Sequence, residues 1–154
     1  MDIEARNRIE KYLKSTNYRL IEFTIKGDER NKIYEIFVDC RGKLIVDELA
    51  KMNREIWELL QSKQLTKGVS KIMVSSPGAD KRFKYIWQLF KHINRNLDVE
   101  KKNGEYLSGK LIEVKEEPEE KIYLKIPKKR KDDEERFEWI DFKDILESKI
   151  KLKY

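Results

Sequence analysis

The sequence of 154 residues holds one cysteine, Cys40, and one histidine, His92. A lone cysteine forbids an intrachain disulfide and a cysteine-based metal cluster, and fits a reducing compartment. A lone histidine cannot build a multi-histidine metal site, and no catalytic triad is expected around it. The six glycines form neither Gly-x-x-x-x-Gly-Lys nor Gly-x-Gly-x-x-Gly, so nucleotide chemistry is not expected. No cofactor and no metal are expected. No apolar run is long enough to cross a bilayer, and Met1-Asp2-Ile3-Glu4-Ala5-Arg6 lacks the basic-then-apolar build of a signal peptide. A cytoplasmic protein, neither membrane-spanning nor exported, is the expectation.

Charge is what the chain has in excess. Charged residues are 42% of it, against about 25% in an average soluble protein, while 39% hydrophobic residues still suffice for cores. The formal charge of +6 favours acidic partners such as nucleic acid. It is unevenly spread. Between Leu59 and Leu97 lie Lys63, Lys67, Lys71, Lys81, Arg82, Lys84, Lys91 and Arg95 against Asp80 alone, so this stretch carries +7 and the remainder −1. A zone of that sign suits phosphate binding, because each neutralised phosphate releases counterions.

Hydrophobic periodicity predicts an α+β chain of two small domains. Ala5, Ile9, Tyr12 and Leu13 mark one face of a helix over 2–15. Ile21, Phe23 and Ile25, then Tyr34, Ile36 and Val38, alternate as the strands of a hairpin around a turn at 27–31. Asp47 is the expected N-cap of a second helix with Leu49, Met52, Ile56 and Leu59 or Leu60 inward. A short strand at 71–74 ends the α-β-β-α-β series. That order resembles KH-type RNA-binding modules, but the Gly-x-x-Gly loop with which those clamp RNA is absent.

Pro77 and Gly78 break the chain, giving expected boundaries of 1–76 for the N-terminal domain, 77–83 for a hinge and 84–154 for the C-terminal domain. In the latter, Ile86, Leu89, Phe90 and Ile93 outline the core stripe of a short helix. Strand-like segments follow at about 97–102, 107–115, 121–126, 137–142 and 145–152, which suggests a small barrel. Lys128 to Lys131 abut Asp132 to Glu135 in a charged hairpin loop.

At about 100° per residue, Lys84, Trp87, Lys91 and Arg95 fall on one stripe of the short helix, opposite its core stripe. Cations around an aromatic ring can hold a nucleic-acid backbone while the ring stacks on an unpaired base. The same pattern also fits a solvated basic face with Trp87 packed under the neighbouring domain. Abundant carboxylates in so charged a chain are read as solvated, His92 as a boundary residue, and Cys40 as a small packing residue. Ser75 and Ser76 are read as bonding their own turn, with phosphate donation as the alternative.

Val74-Ser75-Ser76-Pro77-Gly78-Ala79-Asp80 resembles the Val-Ser-Ser-Pro-Gly-x-Asp signature of the RimP family of bacterial ribosome maturation factors. The segments Tyr34 to Asp39, Asp47 to Leu60 and Leu107 to Leu111 are similar to further landmarks of that family, so the resemblance runs from about residue 5 to 152. It implies an α/β N-terminal domain and an SH3-like or Sm-like C-terminal barrel. It also implies a non-enzymatic factor that binds the immature small ribosomal subunit and assists its late assembly. Implied partners are 16S ribosomal RNA and a small-subunit ribosomal protein near the decoding region; a monomer is expected. Ser75, Ser76, Pro77, Gly78 and Asp80 would form the hinge, with Asp80 capping the next helix or pairing with a base. Lys81-Arg82-Phe83 departs from the family's common Arg-Pro-Leu and adds a phosphate-binding charge at Arg82. Lys81, Arg82, Lys84, Trp87, Lys91 and Arg95 are the expected RNA contacts. The rival readings are a general RNA-binding or remodelling protein and an SH3-like adaptor that docks a peptide.

Overall fold

The computed structural model describes residues 2–78, 81–128, 130 and 134–151. Its first helix, α1 (Asp2–Leu13), turns Ala5, Ile9 and Leu13 inward at the four-residue spacing of one helical face. Strands β1 (Arg19–Asp28) and β2 (Asn31–Asp39) follow as an antiparallel hairpin. Gly27 has φ +85° there, and a Cβ on it would lie 2.2 Å from the Asn31 carbonyl oxygen, so the turn requires glycine. Helix α2 (Val46–Ser62) then carries the chain back, and β3 (Val69–Ser75) joins β2 in parallel. The result is a mixed sheet in the order β1-β2-β3, because a parallel partner needs a crossover of helix length. Met52, Ile56 and Leu60 of α2 share one core with α1 and with Tyr34 and Ile36 of β2.

Three tyrosine hydroxyls brace this unit by donating to carboxylates on other elements. Tyr12 bonds Glu55, Tyr18 bonds Glu48 at 2.6 Å, and Tyr34 bonds Asp2 at 2.5 Å. Burial, followed by the acceptor, pushes all three phenols above their ordinary value, Tyr18 to about 12.

Two details differ from the periodicity. The β1 register shifts between Leu20 and Glu22, so Leu20 enters the core while Ile25, expected inside, is 43% exposed. Asp47 is not the N-cap of α2. Ile45 occupies that position without a side-chain cap bond, and Asp47 sits in the first turn, where a carboxylate instead favours the helix dipole.

The chain divides into two compact units, Met1–Pro77 and Gly78–Tyr154. In the second, a 3-10 helix (Ile86–His92) precedes β4 (Asn96–Lys101), β5 (Tyr106–Lys115), β6 (Lys121–Ile126), β7 (Arg136–Asp141) and β8 (Ile145–Ile150). These five strands form an antiparallel sheet ordered β7-β6-β5-β4-β8. Ile86 and Leu89 pack with Leu97, Val99, Leu111 and Ile122 in its core.

The sheet must curl strongly. Its outer strands β7 and β8 are joined by only three residues, the 3-10 turn Phe142–Asp144. That link reaches at most ~15 Å, whereas four strand spacings of a flat sheet separate the edges by ~19 Å. The register shift between Leu111 and Glu113 helps β5 bend. The expected closed barrel is nevertheless not formed by hydrogen bonds: among the described residues no ladder joins β7 to β8. Both outer strands are six residues long and each pairs on one side only, so closure is left to the curl.

Candidate nucleic-acid interface

The segment 81–95 is built on the 3-10 helix rather than on an α-helix. Gln88 organises it: its side chain is 1% exposed, and its amide oxygen accepts the backbone N–H groups of Lys84 at 2.8 Å and Tyr85 at 2.9 Å. A tight start of this kind favours three residues per turn, and the buried positions, Ile86 and Leu89, are three apart.

This changes the predicted stripe. At three residues per turn Trp87 lines up with Phe90, while Lys91 is turned about 120° away. Lys84 and Arg95 lie outside the helix altogether, flanking it. Phe90, expected in the core, is 37% exposed, because the period that buries Ile86 and Leu89 turns the next residue outward.

What the segment presents is an aromatic pair beside a cation. Tyr85 and Trp87 stack with centroids 5.4 Å apart and planes 11° from parallel. The Lys84 ammonium stands 5.3 Å from the Tyr85 centroid. Arg82, Lys84 and Arg95 are exposed, while Lys81, Trp87 and Lys91 are half-buried. Arg95 approaches the His92 Nδ1 at 3.4 Å, and His92 lies against Phe83. Arg82 feels Glu147 of β8: that carboxyl is held below its ordinary value chiefly by its bond to Lys149, with Arg82 adding to the effect. Sequence reasoning missed Tyr85 and Gln88. An aromatic two residues before Trp87 was the available signal for the first; the second depends on a 3-10 turn that periodicity does not announce.

The basic zone is divided between the units: Lys63, Lys67 and Lys71 belong to the first and 81–95 to the second. Within the Pro-Gly motif, Ser75 ends β3 opposite Phe37, Ser76 is exposed, Pro77 is half-buried, and the Gly78 carbonyl accepts the Lys81 N–H at 3.1 Å. Asp80 lies outside the described residues, as do Lys129 and 131–133 of the charged loop between β6 and β7. Cys40 is buried, its sulfur 3.3 Å from the Gly42 carbonyl oxygen. Among the described residues no three His, Cys, Asp or Glu side chains converge as a metal site. No helix there is long and apolar enough to cross a membrane.

Comparison with known proteins adds two findings. Residues 8–80 match the family described as the RimP N-terminal domain. The chain is also similar to a protein named ribosome maturation factor RimP from Prosthecochloris aestuarii, 26% identical over 109 residues, covering 66% of this chain and 61% of that relative. The match thus spans less than two thirds of the relative's length.

Proposed function

We propose, from the match of residues 8–80 to the RimP N-terminal domain family, that the protein is a cytoplasmic, non-catalytic ribosome maturation factor that binds the immature small ribosomal subunit. That match is the observation that carries the proposal. The second unit supports it, since its five-strand order, its 3-10 turn before the final strand and its curl suit a small SH3-like barrel.

The stacked Tyr85–Trp87 pair beside Lys84 is suited to 16S ribosomal RNA, with Lys81, Arg82, Lys91 and Arg95 adding charge. A small-subunit ribosomal protein near the decoding region is the second partner in this reading. Ser75 to Gly78, with Asp80, act as the link that sets the orientation of the two units, since Pro77 stiffens the chain there. The factor assists assembly by preferring one RNA conformation, because a binder shifts a folding equilibrium only through differential affinity. It acts as a monomer.

Sedimentation of the purified chain with immature small subunits, mature small subunits and complete ribosomes, across a salt series, tests the proposal. Co-sedimentation is expected with free small subunits, strongest with immature ones and absent with complete ribosomes. A folded sample that binds no particle at low salt refutes it and favours the peptide-docking adaptor.

A further inference from the structure

The outward face of β5, β6 and β7 carries a second aromatic surface, remote in sequence from 81–95. The strand registers arrange it in three rows. Glu113, Tyr123 and Trp139 form the middle row; Lys110, Lys125 and Phe137 lie on one side of it, and Lys115, Lys121 and Asp141 on the other. Tyr123 stacks on Trp139 at 4.5 Å and on Phe137 at 5.6 Å, giving a continuous three-ring layer. Phe137 is 47% exposed and Trp139 40%.

The positive charges around it outnumber their carboxylate partners, Glu135 at Lys125 and Asp141 opposite Lys121. Lys110 stands directly opposite Lys125, and Lys115 directly opposite Lys121. Like charges in facing positions destabilise a sheet, and here two such pairs bracket the rings. The Lys115 and Lys121 ammonium groups rest 4.8 Å and 5.1 Å from the Trp139 centroid, and Lys125 reaches Glu135 at 3.4 Å, which relieves only part of the repulsion. At the other end a cleft of about 390 Å³ is lined by Lys110, Lys125, Lys128 and Lys151 together with the Glu135 carboxylate. Beside it Gly109 lets β5 approach β6 closely, since a Cβ there would come within 2.8 Å of the Lys125 carbonyl oxygen.

We propose that this face binds single-stranded RNA, stacking bases on Phe137, Tyr123 and Trp139 while phosphates take the cleft and the Lys115–Lys121 pair. An unpaired base offers the rings a further π-face, and phosphates supply anions beyond the Glu135 and Asp141 carboxylates already beside Lys125 and Lys121. From Lys125 to Lys121 the face runs ~13 Å along β6, room for two or three nucleotides. The proposal does not rest on the ribosomal reading, since any unpaired strand satisfies it.

The test titrates the full chain with a labelled eight-nucleotide uridine oligomer and reads fluorescence anisotropy. Binding is expected to weaken steeply with salt. Trp139→Ala should weaken it about tenfold, and Trp139→Phe, which keeps a stacking ring, should restore most of it. Lys115→Gln with Lys121→Gln should flatten the log–log salt slope by about one. A Trp139→Ala protein that binds as the parent does overturns the proposal, as does equal affinity for a duplex of the same length. No ribosomal particle enters the assay, so its outcome is separable from that of the sedimentation experiment.

Discussion

The two units use aromatic residues in opposite ways. In the first, Tyr12, Tyr18 and Tyr34 lie inside or at the edge of the core, and their hydroxyls are spent on Glu55, Glu48 and Asp2. In the second, Tyr85, Trp87, Tyr123, Phe137 and Trp139 stack on one another at the surface beside lysines. Net charge does not separate the units: 15 basic residues face 12 acidic ones in the first, and 20 face 17 in the second. What separates them is whether a ring's polar or π surface is already occupied. A ring whose hydroxyl bonds a carboxylate across two elements is a brace; a surface stack beside lysines is, in the reading proposed above, a place for a ligand.

The strongest way to break that contrast is by truncation. Tyr34→Ala, at a site 1% exposed, should cost about 3–5 kcal/mol, whereas Trp139→Ala should cost only about 1 kcal/mol because much of the ring is already in water. Chemical denaturation of each variant decides; equal losses would erase the distinction. Next in size, replacing Lys84, Lys91 and Arg95 together by alanine should flatten the salt slope of RNA binding by about two, from three lost single-strand phosphate contacts, while leaving the melting temperature near that of the parent. An unchanged slope would remove them from the interface.

Smaller is the effect of Tyr18→Phe, which removes only the donor to Glu48 and should cost about 1–2 kcal/mol. The same hydroxyl predicts an alkaline limit. Its native pKa, pushed to about 12, lies above the ordinary 10.0, so the stability it contributes is intact below pH 10 and is lost as pH rises toward 12. Circular dichroism against pH should record that loss in the parent, with a weaker dependence in Tyr18→Phe. Smallest of all, Phe90→Ser should change stability by under about 0.5 kcal/mol, while its neighbour Leu89→Ala, fully buried, should cost about 2–5 kcal/mol.

Much of this architecture was legible in the sequence because each element's pattern is local. The strand read at 121–126 is β6 to the residue, the one read at 107–115 starts one position after β5, and the one read at 137–142 is displaced from β7 by one position at both ends. The departures arose where a neighbour overrode the local period. The bulge that brought Leu20 inward and left Ile25 outside is set by pairing with β2. The shift from an α to a 3-10 period at 86–92 is set by Gln88 turning back on two amides. The site was legible only in part. Lys84, Trp87, Lys91 and Arg95 were read as one helical stripe, which the 3-10 period does not form; of the three cations Lys84 is the one that stands at the aromatic pair, over Tyr85. Tyr123, Phe137 and Trp139 were not found at all. They sit on two strands separated by the charged loop, and only the register brings Tyr123 opposite Trp139.

The order of the strands also says when each unit becomes whole. The first unit closes once β3 reaches β2, so everything it needs is present by Ser75 and it can fold while the remainder is still being synthesised. The second cannot close early, because β8 is the partner of β4, its first strand, and every strand between them has already formed its own pair. Until Ile145 to Ile150 emerge, Leu97 and Val99 of β4 lack one of their two neighbours. A nascent chain halted at the 3-10 turn would therefore carry a finished first unit and an open edge in the second, and limited proteolysis of such stalled chains should cut the second unit while sparing the first.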